Sequence, residues 1–419
     1  MIRALPLAPD PAVPHLAKLL DPSVVAASMA DVLGCPVRTA VPIKVKYRIG
    51  EHLRIVYDVH AGLRRTIVAV RSIRPDAAEP SGRRPSSAAM RSPSAFVLPD
   101  LEASAWAFPH DRRMSHVETL FSPPPALACL LEHRWVSSRL AGYTPEKVVV
   151  VECLDATGCT IGFAKQYASG AEARDAFRLH RALATGCAVE GLRLPRALGL
   201  NADAHVVVTE AAGGRRCTEP SLATNPRVMA RLGRAVARLH ATPPPPWVPR
   251  SSRVGAEAIR TAASLLARAL PSRVDRLSSL AVRLVASPPA DSLDVTLHGD
   301  LHLKNALIDQ GQTWLIDLDQ AARGPAEADL GSFAALLRSH AAAALLDRDT
   351  ASRLEHAFLD GYAAVRPLPS APAFERHVAA AILIERALRA VTRVRRPLLA
   401  RFDAVLDEAF AALDKAGAP

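Results

Sequence analysis

Lysine is scarce in this chain. It occurs only at positions 18, 44, 46, 147, 165, 304 and 415, so arginine supplies almost all of the 52 basic side chains. Where arginine is the compositional default, a lysine is a choice, and Lys165 and Lys304 each stand in such a context. Aromatics are also few, at 5%. Formal net charge is +11, which raises nucleic acid as a partner. The arginines, however, are scattered along the chain, and too few rings are present for a base-stacking platform. No specific nucleic-acid partner is expected. The six cysteines (35, 129, 153, 159, 187 and 217) include no CxxC pair, which excludes a zinc ladder or a disulfide framework and leaves reduced, buried thiols as the expectation. Nowhere do about 18 apolar residues run without a charge, so no membrane span is predicted. The opening MIRALPLAPDPAVPHL is broken by prolines and makes a poor signal peptide. A cytoplasmic location follows by default, and the sequence leaves the oligomeric state open.

What is present is an ordinary globular composition, 49% hydrophobic and 22% charged over 419 residues, enough for more than one domain. Residues 36–73 alternate apolar and polar positions and turn near Gly50 and Ala61-Gly62, reading as a strand meander. Residues 74–95 are dense in Pro, Ser and Arg, and 74–120 is read as a linker or insertion. A second strand cluster spans 134–167, with a hairpin turn at Asp155–Gly158. It echoes the first, with Arg71 opposite Lys165. Either a duplicated β unit or two unrelated amphipathic hairpins accounts for the echo. A helix is predicted at 170–185, stopped by Gly186, and a strand at 204–210. Beyond 225, helical spacing marks 226–241, 255–286, 332–347, 350–365, 373–390 and 397–415, interrupted only around 295–319. The organisation expected is a β-rich cap at 1–73, a small β-rich lobe at 121–210 and a helical lobe at 211–419, an α+β fold.

The interruption carries the chemistry. Within Val295–Asp319, a strand at 306–308, a turn at Asp309–Gln312 and a strand at 313–316 form a hairpin. That geometry brings a loop bearing Asp300 and Asn305 beside Asp317. Asn305 and Asp317 offer two oxygens to a hard cation, while Asp300 faces whatever approaches. Phosphoryl transfer needs that arrangement, because positioning and charge neutralisation stabilise its transition state. Mg²⁺ takes only one or two protein oxygens besides phosphate and water.

His298-Gly-Asp-Leu-His-Leu-Lys-Asn305 followed by Ile316-Asp-Leu-Asp319 resembles the signature of the aminoglycoside phosphotransferase and choline kinase superfamily, which has a protein-kinase-like two-lobed fold. The resemblance implies ATP and Mg²⁺ as cofactors and a small-molecule hydroxyl as acceptor. It makes Asp300 the catalytic base, Asn305 and Asp317 the metal ligands, and His298 a brace for the loop. Over roughly 134–390 it further implies Lys165 on the ATP phosphates, backbone groups near Glu210 and Ala212 at adenine, and Asp329 as a support for the catalytic loop. The loop RLAGYTP at 139–145 departs from protein kinases in holding only Gly142. Glu172 and Asp175 are candidate partners for Lys165. Residues 1–120 fall outside the common pattern, although some sugar kinases of the group carry an N-terminal cap.

Other readings stand beside these. His298, Asp300 and His302 also spell HxDxH, a possible hydrolytic metal site. Asp319 is either a second metal ligand or a loop cap, and His240 is read as a packed histidine. An aminoglycoside acceptor would need acids, and Asp347, Asp349, Glu355, Asp360, Glu375 and Glu385 are the candidates in the helical lobe. Sugar-like acceptors compete equally. A catalytically silent nucleotide-binding scaffold is the rival from another class.

Overall fold

The computed structural model describes residues 6–73, 94–187, 189–287 and 293–417. It separates into two compact units. The first comprises Met1–Ala173, Asn201–Val206 and Val391–Val394, and the second Arg174–Leu200, Val207–Ala390 and Arg395–Pro419.

In the first unit, a helix Pro22–Leu33 is started by the Asp21 carboxylate, which accepts from Ser23 N at 2.9 Å, and is stopped by Gly34 at φ 63°. Both signals are what helix ends require. The helix packs on β1 (Val37–Arg48), which pairs in an antiparallel meander with β2 (His52–Ala61) and β3 (Arg64–Ser72). Pro42 sits at a register shift in β1, the edge strand, where a missing N–H is tolerated. β4 (Ala95–Leu98) and β5 (Ala103–Ala107) complete this sheet in the order β1-β2-β3-β5-β4. Within the stretch expected as a linker or insertion at 74–120, Ala95–Leu98 and Ala103–Ala107 are strands of this sheet, and 74–93 lies outside the described residues. Ala-rich ASAWA has little β propensity of its own. Its pairing with β3, from Val68↔Ala107 to Ser72↔Ala103, makes it a strand.

The same unit holds a second meander, β6 (Ser137–Thr144), β7 (Val148–Leu154) and β8 (Thr160–Tyr167), with the expected turn at 155–158. Each meander is three antiparallel strands, and Arg71 and Lys165 both lie near the end of the third. The cap and this meander fall together, so the compact division comes at Ala173 and not at 210. It also runs through the hairpin of β10 and β11 introduced below. Three cysteines, Cys35, Cys129 and Cys159, are exposed, contrary to the expectation that all are buried; all six are free thiols.

The second unit is mainly helical. A short strand β9 (Leu192–Arg193) precedes β10 (Ala197–Asn201) and β11 (Val206–Glu210), and β12 (Arg215–Arg216) follows. Helices Pro226–Ala241 and Arg348–Ala363 cross closely: a Cβ on Gly233 would meet Phe358 O at 2.0 Å, and one on Gly361 would meet Ala230 O at 2.1 Å. Only glycine allows that approach. The predicted helix 255–286 is two, Ala256–Ala269 and Val274–Ala286, broken where Pro271 follows Leu270. The predicted 332–347 starts earlier, as Glu327–Ala342. This helix is buried on nearly every side, so no polar face marks its register. A π-helical turn, Ile382–Ala387, interrupts the predicted 373–390. Among the described residues no helix is long and apolar enough to cross a membrane.

Candidate functional site

Two small antiparallel pairs in the second unit position the loop. β13 (Val295–Leu297) pairs with β16 (Ala322–Gly324), and β14 (Ala306–Ile308) with β15 (Thr313–Leu315). The flanking apolar residues are buried, while the loop between β13 and β14 leaves the sheet. The Asp309–Gln312 turn is closed by reciprocal backbone bonds of 3.0 and 3.1 Å, and Arg231 Nη2 donates to both carbonyls at 2.8 Å. Gly299 has φ +75°, and a Cβ there would lie 1.9 Å from Gln320 O. Glycine is therefore required by the fold.

His298 is fully buried. Its Nε2 donates to Ile316 O at 3.1 Å and its Nδ1 accepts from Asp300 N at 3.3 Å, which fixes a neutral tautomer. Burial lowers its pKa, against the pull of Asp329, Asp300 and Asp317. With both nitrogens committed, His298 is no metal ligand, and the HxDxH reading fails. Among the described residues no three His, Cys, Asp or Glu side chains cluster as a ligand set.

Asp329 is the hub beneath the loop. Its carboxylate accepts from His298 N at 2.7 Å, from Gly299 N at 3.0 Å and from His240 Nε2 at 3.2 Å. Burial would raise this carboxyl. The His240 hydrogen bond and the neighbouring imidazoles outweigh it and hold the pKa below the usual range. His240 is itself buried and its Nδ1 meets Tyr362 Oη at 3.0 Å, so it is a packed histidine, as expected.

Asn305 ends a 3₁₀ turn; its Nδ2 donates to Asp300 O at 3.1 Å, and its backbone carbonyl accepts from Ile316 N at 2.9 Å. Asp317 follows directly, exposed and in the left-handed region at φ 60°. The structure thus brings Asp300, Asn305 and Asp317 into one loop cluster. The amide nitrogen of Asn305 is spent on the loop, leaving its Oδ1 as the acceptor for a cation. Asp319 lies 3.4 Å from His180 Nε2.

The Asp300 carboxylate has neighbours that the motif does not announce. His302 Nε2 is 3.5 Å from Oδ2 and Arg389 Nη1 is 3.6 Å from Oδ1. Arg253 donates to Gly299 O and to Gln320 Oε1, the latter at 2.8 Å. Burial would raise the Asp300 pKa, but the His302 hydrogen bond and the charges of His302, Arg389 and Arg253 hold it well below the usual carboxylate range. Arg253 and Arg389 lie far from the loop in sequence, and nothing local marked them.

The remaining sequence candidates are placed as follows. Lys165 lies in β8 of the first unit, opposite Val150 and 5.6 Å from the Tyr167 ring centroid. Glu172 pairs with Ser169 as a helix-start box: its amide donates to Ser169 Oγ at 3.3 Å, and that hydroxyl donates to its carboxylate at 3.2 Å. Glu210 donates its amide to Arg196 O at 3.0 Å, and its carboxylate grips Arg196 N and Nε at 3.0 and 2.8 Å. Ala212 lies just beyond β11, outside any strand.

The candidate amine-binding acids are mostly committed. Arg338 holds both Glu355 and Glu375, each at 2.6 Å at closest. Glu385 accepts from Ser332 Oγ at 2.7 Å and pairs with Arg386 at 3.0 Å. Asp347 caps its helix through Thr350 N at 2.8 Å. Asp349 and Asp360 lie exposed on that same helix.

Residues 163–368 match the phosphotransferase enzyme family APH. This segment of the chain belongs to that family. The matched segment is that of a phosphotransferase, and the fold around it is α+β. No curated protein matches the sequence. Among solved structures, an aminoglycoside phosphotransferase from Streptomyces rimosus in complex with ADP and streptomycin is 19% identical, covering 56% of this chain and 90% of that one at a TM-score of 0.42. An aminoglycoside phosphotransferase from Alicyclobacillus acidocaldarius is 19% identical over 70% and 95% at 0.46. A choline/ethanolamine kinase family protein from Mesorhizobium loti is 17% identical over 71% and 92% at 0.44.

Proposed function

We propose that this APH-family phosphotransferase moves the γ-phosphate of ATP to a hydroxyl of a small, sugar-like acceptor. The observation that carries the reading is the clamp on one loop: Asn305 Nδ2 holds the Asp300 carbonyl while its own carbonyl holds Ile316 N, one residue before Asp317. Asp300, Asn305 and Asp317 are thereby fixed relative to one another by backbone and amide bonds. Asp300 orients the acceptor hydroxyl. Its lowered pKa keeps it a carboxylate at neutral pH and makes it a weak base, which suits a loose transition state in which the hydroxyl proton leaves late. Asn305 Oδ1 and the Asp317 carboxylate form a hard-oxygen donor pair that fits Mg²⁺. The metal, when bound, neutralises phosphate charge. His298 and Asp329 hold the loop, so the geometry needs no reorganisation during transfer. Lys165 is assigned to the ATP phosphates, and the Glu210 carbonyl and Ala212 backbone to adenine.

Two observations favour a sugar-like acceptor over a polycationic aminoglycoside. The acids of the helical lobe are committed to Arg338, Arg386, Ser332 or a helix cap, or lie on an exposed helix face. The groups that surround Asp300 are His302, Arg389 and Arg253. Ammonium groups gain little from such a rim. Against a silent scaffold, all three reacting and metal-binding residues are present. ADP release with Mg²⁺-ATP, measured against neutral sugars, sugar acids, amino sugars, choline and aminoglycosides, tests both parts. Turnover on a neutral or acidic sugar is expected; turnover on aminoglycosides alone would overturn the acceptor class, and ATP binding without turnover on any acceptor would favour the scaffold.

A further inference from the structure

Two guanidinium groups bring charge to the Asp300 carboxylate, and they are not equivalent. Arg253 is spent on the loop itself, donating to Gly299 O and to Gln320 Oε1. Arg389 is not. Its Nη1 lies 3.6 Å from Asp300 Oδ1, an ion pair just beyond hydrogen-bond length, and among the described residues its side chain donates to no protein acceptor. Both side chains are part-exposed, Arg389 at 29% and Asp300 at 27%. An acceptor whose hydroxyl meets Asp300 therefore lies against a guanidinium fork with its donors unused.

The segment that delivers Arg389 carries further positive charge. Arg389 sits in the short helix Leu388–Thr392, directly after the π-helical turn Ile382–Ala387. Such turns recur at functional sites. Arg386, buried within the turn, pairs with Glu385 at 3.0 Å yet leaves its Nε without a hydrogen-bond partner. Arg395, exposed beyond the helix, has no carboxylate partner among the described residues. The charges of these three arginines bear on one another, and the carboxylates set against them are Glu385 and Asp300. Asp300 also answers His302 and Arg253. Cations gathered in this way repel one another, and an anion placed among them offsets that cost.

We propose, building on the phosphotransferase reading of Asp300, that Arg389 selects the acceptor by an acidic group, a carboxylate or a phosphate ester, carried near the hydroxyl that is phosphorylated. The guanidinium fork matches the paired oxygens of either group. With one hydrogen bond at each end of the 3.6 Å ion pair, the acid and hydroxyl oxygens lie at most about 9 Å apart. That span fits an acid on the same sugar or on a small hydroxy acid and excludes one on a distant tail. An ammonium at the same place would meet like charge.

The test measures ADP release with Mg²⁺-ATP on matched acceptors, glucose with glucuronate and glucose 6-phosphate, and glycerol with glycerate and glycerol phosphate. Wild type is compared with Arg389→Gln, with thermal unfolding as the control for folding. Wild type is expected to use at least one acid with a kcat/KM at least about tenfold above that of its neutral counterpart, and Arg389→Gln should lower that acid-to-neutral ratio about tenfold, the loss of a charge-assisted contact. Arg389→Lys keeps the charge and loses the fork, so it should lower the ratio by less, and it carries the test should Arg389→Gln not fold. Preference for glucuronate or glycerate assigns a carboxylate, and preference for the phosphorylated acceptors assigns a phosphate ester; either supports an acid subsite. A wild type without acid preference, or variants that slow acidic and neutral acceptors by the same factor, would overturn the subsite and leave the phosphotransferase reading standing. If no acceptor is phosphorylated, calorimetric titration of the same acids into the full-length protein separates the two. Acid binding that weakens in Arg389→Gln supports the subsite and counts against the phosphotransferase reading, whereas acid binding that is absent or unchanged overturns the subsite.

Discussion

Asp329→Ala probes the support beneath the catalytic loop. The wild-type carboxylate receives His298 N, Gly299 N and His240 Nε2, all within 3.2 Å, from a position 2% exposed. Truncation strands three donors, each worth about 1–3 kcal/mol when buried and unsatisfied. Two effects offset this: the desolvation cost of the buried carboxylate disappears, and water can enter the space left. The net loss is about 3–5 kcal/mol, the range for breaking a buried charged network. For a unit of this size, ~2–4 °C per kcal/mol converts that to a fall in Tm of roughly 6–20 °C. Calorimetry at pH 7 measures it. Acid titration gives a second check with a definite sign. The folded pKa of Asp329 is lowered, so its stabilisation is fully present above the unfolded value of about 3.9 and is lost as pH falls through the folded value. The gap between wild type and variant should therefore hold from pH 7 to about 4 and shrink below it. A variant melting within ~2 °C of wild type at pH 7 would refute the reasoning.

Three further outcomes follow from the same structure. Gly299→Ala combines φ +75° with a Cβ 1.9 Å from Gln320 O, so it should displace the loop and lower activity at least tenfold while the helical core still melts cooperatively, with circular dichroism and ADP release as readouts. Arg338→Met leaves Glu355 and Glu375 buried without their cation, so denaturant unfolding should show a loss of about 3–5 kcal/mol; a loss under 1 kcal/mol would contradict the pairing. His340 is held down to about 4 by burial, Arg386 and Arg395. A depressed histidine contributes stability above its unfolded pKa of about 6.5 that is lost as pH falls toward 4, so His340→Gln should flatten the stability profile between pH 6.5 and 4 by up to about 3 kcal/mol.

The loop was readable because its information is local. Asp300 and Asn305 just before one hairpin and Asp317 just after it lie close in sequence, and the observed strands at 306–308 and 313–315 fall where 306–308 and 313–316 were expected. The two meanders were readable for the same reason, through period-two alternation. What the sequence hid is non-local. Arg253, in the turn before Ala256–Ala269, and Arg389, in a short helix at Leu388–Thr392, bring their charges to Asp300 from far along the chain, and no periodicity distinguishes either from the other arginines. β5 is a strand because β3 makes it one, against the preference of its alanines. The helix Glu327–Ala342 lost its first turn in the expectation because burial on all sides erased the amphipathic phase that normally marks a boundary. The π turn at Ile382–Ala387 adds a residue to a pattern that still reads as helical. The charged fastening of Glu146 joins residues 54, 71, 112 and 146, four segments that only folding assembles.

The most direct test of the central claim compares wild type with Asp300→Asn for acceptor-dependent ADP release under saturating Mg²⁺-ATP, with thermal unfolding as the control for folding. The account predicts a loss of about 10²–10⁴-fold in turnover with Tm nearly unchanged, since the carboxamide keeps the shape and removes the charge that orients the hydroxyl. Turnover in Asp300→Asn equal to wild type, in a protein that melts normally, would contradict it.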